Sequence, residues 1–155
     1  MTRTKMKDLA QDLLRRYQVR STRSAHLVPA LRRGKLLSIG RGDVFCQQGA
    51  PSKQLFVLVS GSVRILRKDN QNKDREIATI HAPCIIGEMG LVDRSTRSAT
   101  CMAHEDCTAL AIDQRTFDTL MNEDSAAASA FRHQLIAVMM SDLSRTNAKL
   151  TEPAA

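Results

Sequence analysis

The chain opens on a helical repeat. Met6, Leu9, Ala10, Leu13, Leu14 and Tyr17 fall at i, i+3, i+4, i+7, i+8 and i+11, one stripe of an α-helix, while Lys5, Lys7, Asp8, Asp12, Arg15 and Arg16 take the opposite side. A second short helix is expected after Ser24, with that hydroxyl as its cap, and it must tolerate Pro29 before the chain reaches Gly34. From Lys35 to about Asp113 the texture changes to short apolar or β-branched runs punctuated by Gly, Pro, Asn and Asp. The runs are LLSI (36–39), DVFCQ (43–47), QLFVLVS (54–60), SVRILRK (62–68), EIATIH (76–81), SATCMA (98–103) and CTALAI (107–112). Gly61 predicts a tight hairpin turn with positive φ, and the polar stretch Asp69 to Asp74 predicts a looser one. Seven or eight short antiparallel strands at this spacing describe a closed or double-sheet β architecture. After Asp113 the helical period returns, first in QRTFDTLMNED and then from Ser125 to Leu150, with Phe131, Leu135, Val138, Met139, Leu143 and Leu150 as its apolar positions.

A chain of 155 residues can bury one proper core, so these elements are read as a helical arm over 1–34 and a single β domain with its closing helices over 35–155. Aromatic residues make up 3% and Trp is absent, which leaves the core to Leu, Ile, Val and Met. The net charge of +7 is uneven: residues 1–41 carry 11 Lys and Arg against Asp8 and Asp12. Contact with nucleic acid is therefore expected, if at all, only through this basic arm, and without aromatic interleaving the arm reads first as a solvated helix face. The N-terminus is charged throughout and no apolar run approaches a membrane span, so no membrane partner is expected. Cys46, Cys84, Cys101 and Cys107 match neither a C-x-x-C pair nor a compact disulfide framework, which points to a reducing cytoplasm.

The chemistry lies in GEMGLVDRSTRSAT, residues 87–100. A glycine lets backbone approach a ligand closely, Glu88 supplies an acceptor for a hydroxyl, and Met89 to Val92 can form a short helical turn. Arg97 beside Ser98 supplies a guanidinium whose planar fork suits a phosphate. Arg94 is expected to point to solvent. His26, His81, His104 and His133 are scattered, with no H-x-H pair, and there is neither a Ser-His-Asp arrangement nor a G-x-x-x-x-G-K-[ST] loop, so neither an enzyme nor a bound metal is expected.

The run Gly87-Glu88-x-Gly-Leu with Arg97-Ser98-Ala99-Thr100 closely resembles the phosphate-binding cassette of the cyclic-nucleotide-binding domain family, found in kinase regulatory subunits, nucleotide-gated channels and the catabolite-activator class of bacterial regulators. The resemblance extends over about residues 35–150, with Gly42, Gly49 and Gly61 at the family's turns. It implies an eight-stranded antiparallel β jelly roll, a double-stranded β-helix, with an N-terminal helix and two C-terminal helices. It also implies a cyclic nucleotide as ligand, no other cofactor, with Arg97 and Ser98 on the phosphate, Glu88 on the ribose 2′-hydroxyl, and Gly87, Met89 and Ala99 around them. Thr146 and Asn147 on the last helix would present polar groups to the purine, and Ile65, Ile77 and Ile86 would wall the pocket. Serine at position 98 occurs in bacterial cyclic-AMP binders of the family, which inclines the expected ligand to cyclic AMP and leaves cyclic GMP open. Pro83-Cys84, where many members have Gly-Asp, is expected to alter only a surface turn. Because the chain stops where a DNA-reading or catalytic domain would begin, the expected output is a binding event on a protein effector. Leu135, Met139, Leu143 and Leu150 offer a possible homodimer face. The alternative is a regulatory domain cut from a transcription regulator, a channel or a kinase.

Overall fold

The computed structural model describes the backbone of residues 1–151 and the side chains of residues 1–144. Helix α1 (Arg3–Arg16) starts at Thr2, whose hydroxyl accepts the Lys5 backbone N–H at 3.1 Å, and ends with Arg15 and Arg16 where cations favour the helix dipole. Helix α2 (Ser24–Leu31) begins one residue earlier than expected: Arg23 occupies the cap position without a side-chain cap, and Ser24 is the first helical residue. Pro29 sits exposed near its end. Then follow β1 (Lys35–Ile39), β2 (Val44–Cys46), β3 (Gln54–Ser60), β4 (Ser62–Lys68), β5 (Asp74–His81), β6 (Cys84–Ile86), α3 (Glu88–Asp93), β7 (Thr100–Ala103), β8 (Cys107–Asp113), α4 (Gln114–Asn122) and α5 (Ala126–Thr151).

The eight strands form two antiparallel sheets, ordered β1-β8-β3-β6 and β2-β7-β4-β5, the double-sheet jelly roll. The first sheet is covered on both faces, and side chains on a strand alternate between faces. Leu55 and Val57 of β3, Ile85 of β6 and Leu110 and Ile112 of β8 point outward into a cluster shared with Met6, Leu9 and Leu13 of α1, Leu27 and Leu31 of α2, and Phe131, Leu135 and Val138 of α5. Phe56 and Leu58, Cys84 and Ile86, and Ala109 and Ala111 point inward, between the sheets. Two covered faces explain why β3 reads as an almost unbroken apolar run rather than an alternating one. Residues 1–34 thus share their core with the β domain. Phe117 of α4 meets Phe131 edge-to-face at 6.3 Å, fixing α4 on α5.

Two turns carry the register. Gly61 joins β3 to β4 at φ +95°, where an added Cβ would stand 2.6 Å from the Cys107 sulfur, so no other residue fits without movement. Asp69 organises the β4–β5 turn by accepting the N–H groups of Gln71 and Lys73. At Pro83-Cys84 the structure departs from the surface turn expected: the Ala82–Pro83 bond is cis, and Cys84 is fully buried as the first residue of β6. With three residues, β6 is too short to display a period of its own; it exists because β3 offers an edge, pairing Cys84, Ile85 and Ile86 with Leu58, Val57 and Phe56.

Candidate functional site

Strand β6 runs straight into the 87–100 segment, and Gly87 makes the bend at φ +78°. An added Cβ there would lie 2.5 Å from Arg97 Nη1, so position 87 needs both the left-handed backbone and the missing side chain. Arg97 Nη1 donates to the Gly87 carbonyl at 2.7 Å and Nη2 donates to the Gln54 carbonyl. The Arg97 main chain is zipped to the β2–β3 loop, its N–H donating to Ala50 at 2.9 Å and its carbonyl accepting from Gly49 at 2.8 Å. These bonds hold the guanidinium at 7% exposure beside Glu88, which is 3% exposed at the start of α3. Gly90 packs its bare Cα against the Ser52 hydroxyl. Asp93 accepts both the Ser95 N–H (3.0 Å) and its hydroxyl (2.5 Å), which shapes the loop after α3 and holds the Asp93 carboxyl below its ordinary range. The exposed Arg94 ends α3 in left-handed backbone and reaches the half-buried Asp118 at 3.1 Å.

The segment borders a cavity of about 340 Å³, a volume suited to a small organic ligand. Gly87, Glu88, Met89, Arg97, Ser98 and Ala99 line it together. Ile65 and Ile86 join them from β4 and β6. Ile77 does not: it is 37% exposed, and Ile80 takes the wall position on β5. The reason is register. Between Ile65 and Leu66 the β4–β5 ladder slips, so that Ala78 faces Ile65 and Glu76 faces Leu66, leaving Ile77 as the extra residue of a bulge. The side chains of Thr146, Asn147 and Leu150 lie outside the described residues.

Four further lining residues from outside the 87–100 segment escape a reading of sequence alone: Cys46, Ile85, Cys101 and Asp142. Cys46 and Cys101 face each other across β2 and β7, and a slip in the ladder between Val44 and Cys46 turns both Phe45 and Cys46 inward. The Cys101 thiol hydrogen-bonds to Cys46, lowering the Cys46 pKa with help from the charge on Arg97, against the cost of burial. The same bond, together with burial, raises that of Cys101. Asp142 brings a carboxylate from α5 to the cavity.

Helix α1 grips the strand that feeds this site. Arg16 Nη1 donates to the carbonyls of His81 (2.5 Å) and Pro83 (2.9 Å), and the Tyr17 hydroxyl accepts the Ile85 N–H at 3.2 Å. Burial pushes the Tyr17 pKa up to about 12, with Cys84 and Asp142 adding to it and the Ile85 N–H and Arg16 opposing. Among the described residues no group of three or more His, Cys, Asp or Glu could hold a metal ion, and no helix is long and apolar enough to cross a membrane.

The comparisons agree with this geometry. The family model described as the cyclic nucleotide-binding domain matches residues 36–124. The chain belongs to the cyclic nucleotide-binding domain family. It is 28% identical over 110 residues to the cyclic AMP receptor protein of Thermus thermophilus, a match covering 71% of this chain and 49% of that one. The crystal structure of the Thermus thermophilus catabolite activator protein superposes with a TM-score of 0.72 at 25% identity, covering 81% of this chain and 57% of the other. A cyclic nucleotide-binding domain from Methylobacillus flagellatus gives a TM-score of 0.80 at 16% identity over 96% of this chain and 86% of that domain, a likeness of fold. The chain spans about half the length of the curated receptor it matches.

Proposed function

We propose that the chain is a non-enzymatic sensor that binds cyclic AMP in preference to cyclic GMP in the cavity beside residues 87–100 and passes the signal on by moving its flanking helices. The observation that carries this reading is Arg97, a guanidinium held at 7% exposure on the cavity wall with its Nη1 and Nη2 donating to main-chain carbonyls. Dipoles offset only part of the desolvation cost of a buried cation, and an anionic cyclic phosphate in the cavity completes the pairing. Ser98 adds a hydroxyl to the phosphate, and Glu88, one residue past the close-approach glycine, accepts from the ribose 2′-hydroxyl. Met89 and Ala99 flank the sugar, and Ile65, Ile80 and Ile86 enclose the purine. The Thermus relative's description as a cyclic AMP receptor supports the choice of base.

The anion draws Arg97 and α3 inward, α5 closes over the purine, and α1 follows through its grip on His81, Pro83 and Ile85. A 100-fold difference in affinity between the two states supplies about 2.7 kcal/mol of bias. A protein effector reads the moved helices from the cytoplasm, residues 1–34 acting as the coupling arm and 35–155 as the sensor. A second copy of the chain fits α5 better on a stripe that shares only Leu143, among the described side chains, with the one the period suggested. Leu135 and Met139 pack inward, whereas Ile136, Met140 and Leu143 are 55%, 63% and 61% exposed. Nucleic acid contact, if any, belongs to the basic arm.

Calorimetry tests the site. Cyclic AMP is expected to bind the wild type, with at least about 100-fold loss in Arg97→Ala, in keeping with removal of a charge-assisted pair, and about tenfold loss in Glu88→Ala. Unchanged affinity in both variants overturns the assignment.

A further inference from the structure

We infer that Cys46 and Cys101 form an oxidisable dithiol inside the ligand cavity, closed to a disulfide by a hydroperoxide and opposed by bound nucleotide. The disulfide itself follows from geometry alone; its opposition to ligand rests on the function proposed above.

The two cysteines are directly opposed residues of the antiparallel β2–β7 ladder. Opposed residues in such a ladder have Cα atoms about 4.5–5.5 Å apart, inside the range of about 4.4–6.8 Å that a disulfide spans. Opposed residues of a ladder project to one face, and both side chains enter the cluster between the sheets. The pair is 9% and 6% exposed, yet both residues line the 340 Å³ cavity, which gives a small oxidant a route that the outer surface does not.

The two sulfurs have different roles. Cys46 is the nucleophile: the neighbouring Cys101 thiol and the Arg97 charge favour its thiolate, whereas at Cys101 burial and the Glu88 carboxylate oppose the same Arg97 charge. Cys101 is the resolving thiol. In the first step the Cys46 thiolate attacks the O–O bond of the hydroperoxide; an S–O bond forms, and the leaving alkoxide or hydroxide takes a proton to become an alcohol or water. In the second, Cys101 gives up its proton and its sulfur attacks the sulfenic sulfur, expelling water. Two thiols lose two electrons and two protons, and one hydroperoxide becomes an alcohol and water. The other two cysteines lack this arrangement. Cys107 donates its S–H to the carbonyls of Ser62 (3.3 Å) and Glu105 (3.1 Å), and burial raises its pKa, which keeps it a thiol. Cys84 is fully buried and does not border the cavity.

Ligand and disulfide oppose each other for a structural reason. Cys101 lies four residues after Arg97, and Cys46 lies three and four residues before Gly49 and Ala50, the loop residues zipped to Arg97. Drawing the sulfurs to about 2.05 Å pulls on both sides of that zipper, while a nucleotide filling the cavity blocks the oxidant's route. By linkage, the factor by which nucleotide disfavours the disulfide is the factor by which the disulfide weakens nucleotide binding.

The test is peroxide oxidation of the reduced full chain, with and without saturating cyclic AMP, followed by alkylation of remaining thiols and peptide mapping. A Cys46–Cys101 linked peptide as the first product, formed about tenfold more slowly with cyclic AMP, supports the inference. In Cys101→Ser no link forms, and Cys46 is trapped as a sulfenic acid by a 1,3-dione. A first product linking any other pair, or four cysteines oxidising at one rate in protein whose circular dichroism is native, overturns it. If calorimetry shows cyclic AMP binding the reduced chain and Cys46–Cys101 never links, the dithiol fails and the nucleotide site stands. If the link forms at one rate with or without nucleotide and neither cyclic nucleotide binds, the dithiol stands and the nucleotide site fails.

Discussion

The sheet β1-β8-β3-β6 has two buried faces that the chain fills differently. Toward the helices it presents Leu55, Val57, Ile85, Leu110 and Ile112, bulky side chains closed off by α1, α2 and α5. Toward the opposite sheet it presents Cys84, Ala109, Ala111 and Cys107 among Phe56, Leu58 and Ile86, with Leu37 and Ile39 of β1 partly buried beside them. One strand pair serves both purposes, because alternation sends neighbouring residues to opposite sides. The helix face is packed for stability, whereas the cavity lies where Cys46, Ile65, Ile80 and Cys101 of the second sheet meet Ile86 and the 87–100 segment. A close-packed core tolerates little loss of volume, whereas a wall beside open space has fewer contacts to lose.

The largest expected effect sets the helix face against the cavity wall. Leu110→Ala on the helix face should cost about 2–5 kcal/mol in urea denaturation, while Ile65→Ala on the half-buried cavity wall should cost about 1–2 kcal/mol. Equal losses would erase the distinction. The next concerns the rim of the cavity. Gly87→Ala puts a methyl group against Arg97 in left-handed backbone, so stability should fall by about 1–3 kcal/mol and cyclic AMP affinity, read by calorimetry, by more than about tenfold. An alanine variant with wild-type stability and affinity would show that the rim has slack.

The smallest lies outside the sheet, at Tyr17. Its pKa rises from 10.0 in the unfolded reference to about 12, so the contribution of the neutral phenol is fully present below pH 10 and is lost as pH rises toward 12. Tyr17→Phe should cost about 1 kcal/mol near neutrality, by orphaning the Ile85 N–H, and should remove that part of the alkaline loss in thermal melts between pH 9 and 12. A variant whose alkaline limb matched the wild type would show that another group sets it.

Local features were legible in the sequence, and features made by pairing were not. The stripe Met6 to Tyr17 and the strands at 54–60 and 62–68 are periodic on their own terms, and the structure places them as read. Glu88 and Arg97 stand in one continuous segment, so a resemblance could name them and the cavity contains them. Ile77 misled because Ile77 and Ile80 cannot share a face of a regular strand; only the partner strand reveals which one the bulge sends inward. Strand β6 and the meeting of Cys46 with Cys101 depend on partners tens of residues away, and a second slip at Phe45 hides Cys46 further. Asp142 reaches the cavity through the packing of α5, which the spacing of its apolar residues does not orient.

In the proposed sensor, helix α1 would act as a lever with its fulcrum beside the cavity. Its last turn and Tyr17 are fastened to His81, Pro83 and Ile85, two residues short of the Gly87 bend, while Arg3 stands at the far end of 14 helical residues, about 21 Å away. A pivot of about 10° at the fastened end would carry the other end by nearly 4 Å, on the same 1.5 Å rise per residue. In that sensor, small displacements at the ligand would be magnified at the surface, and a load hung on the far end would return to the cavity with the same mechanical advantage.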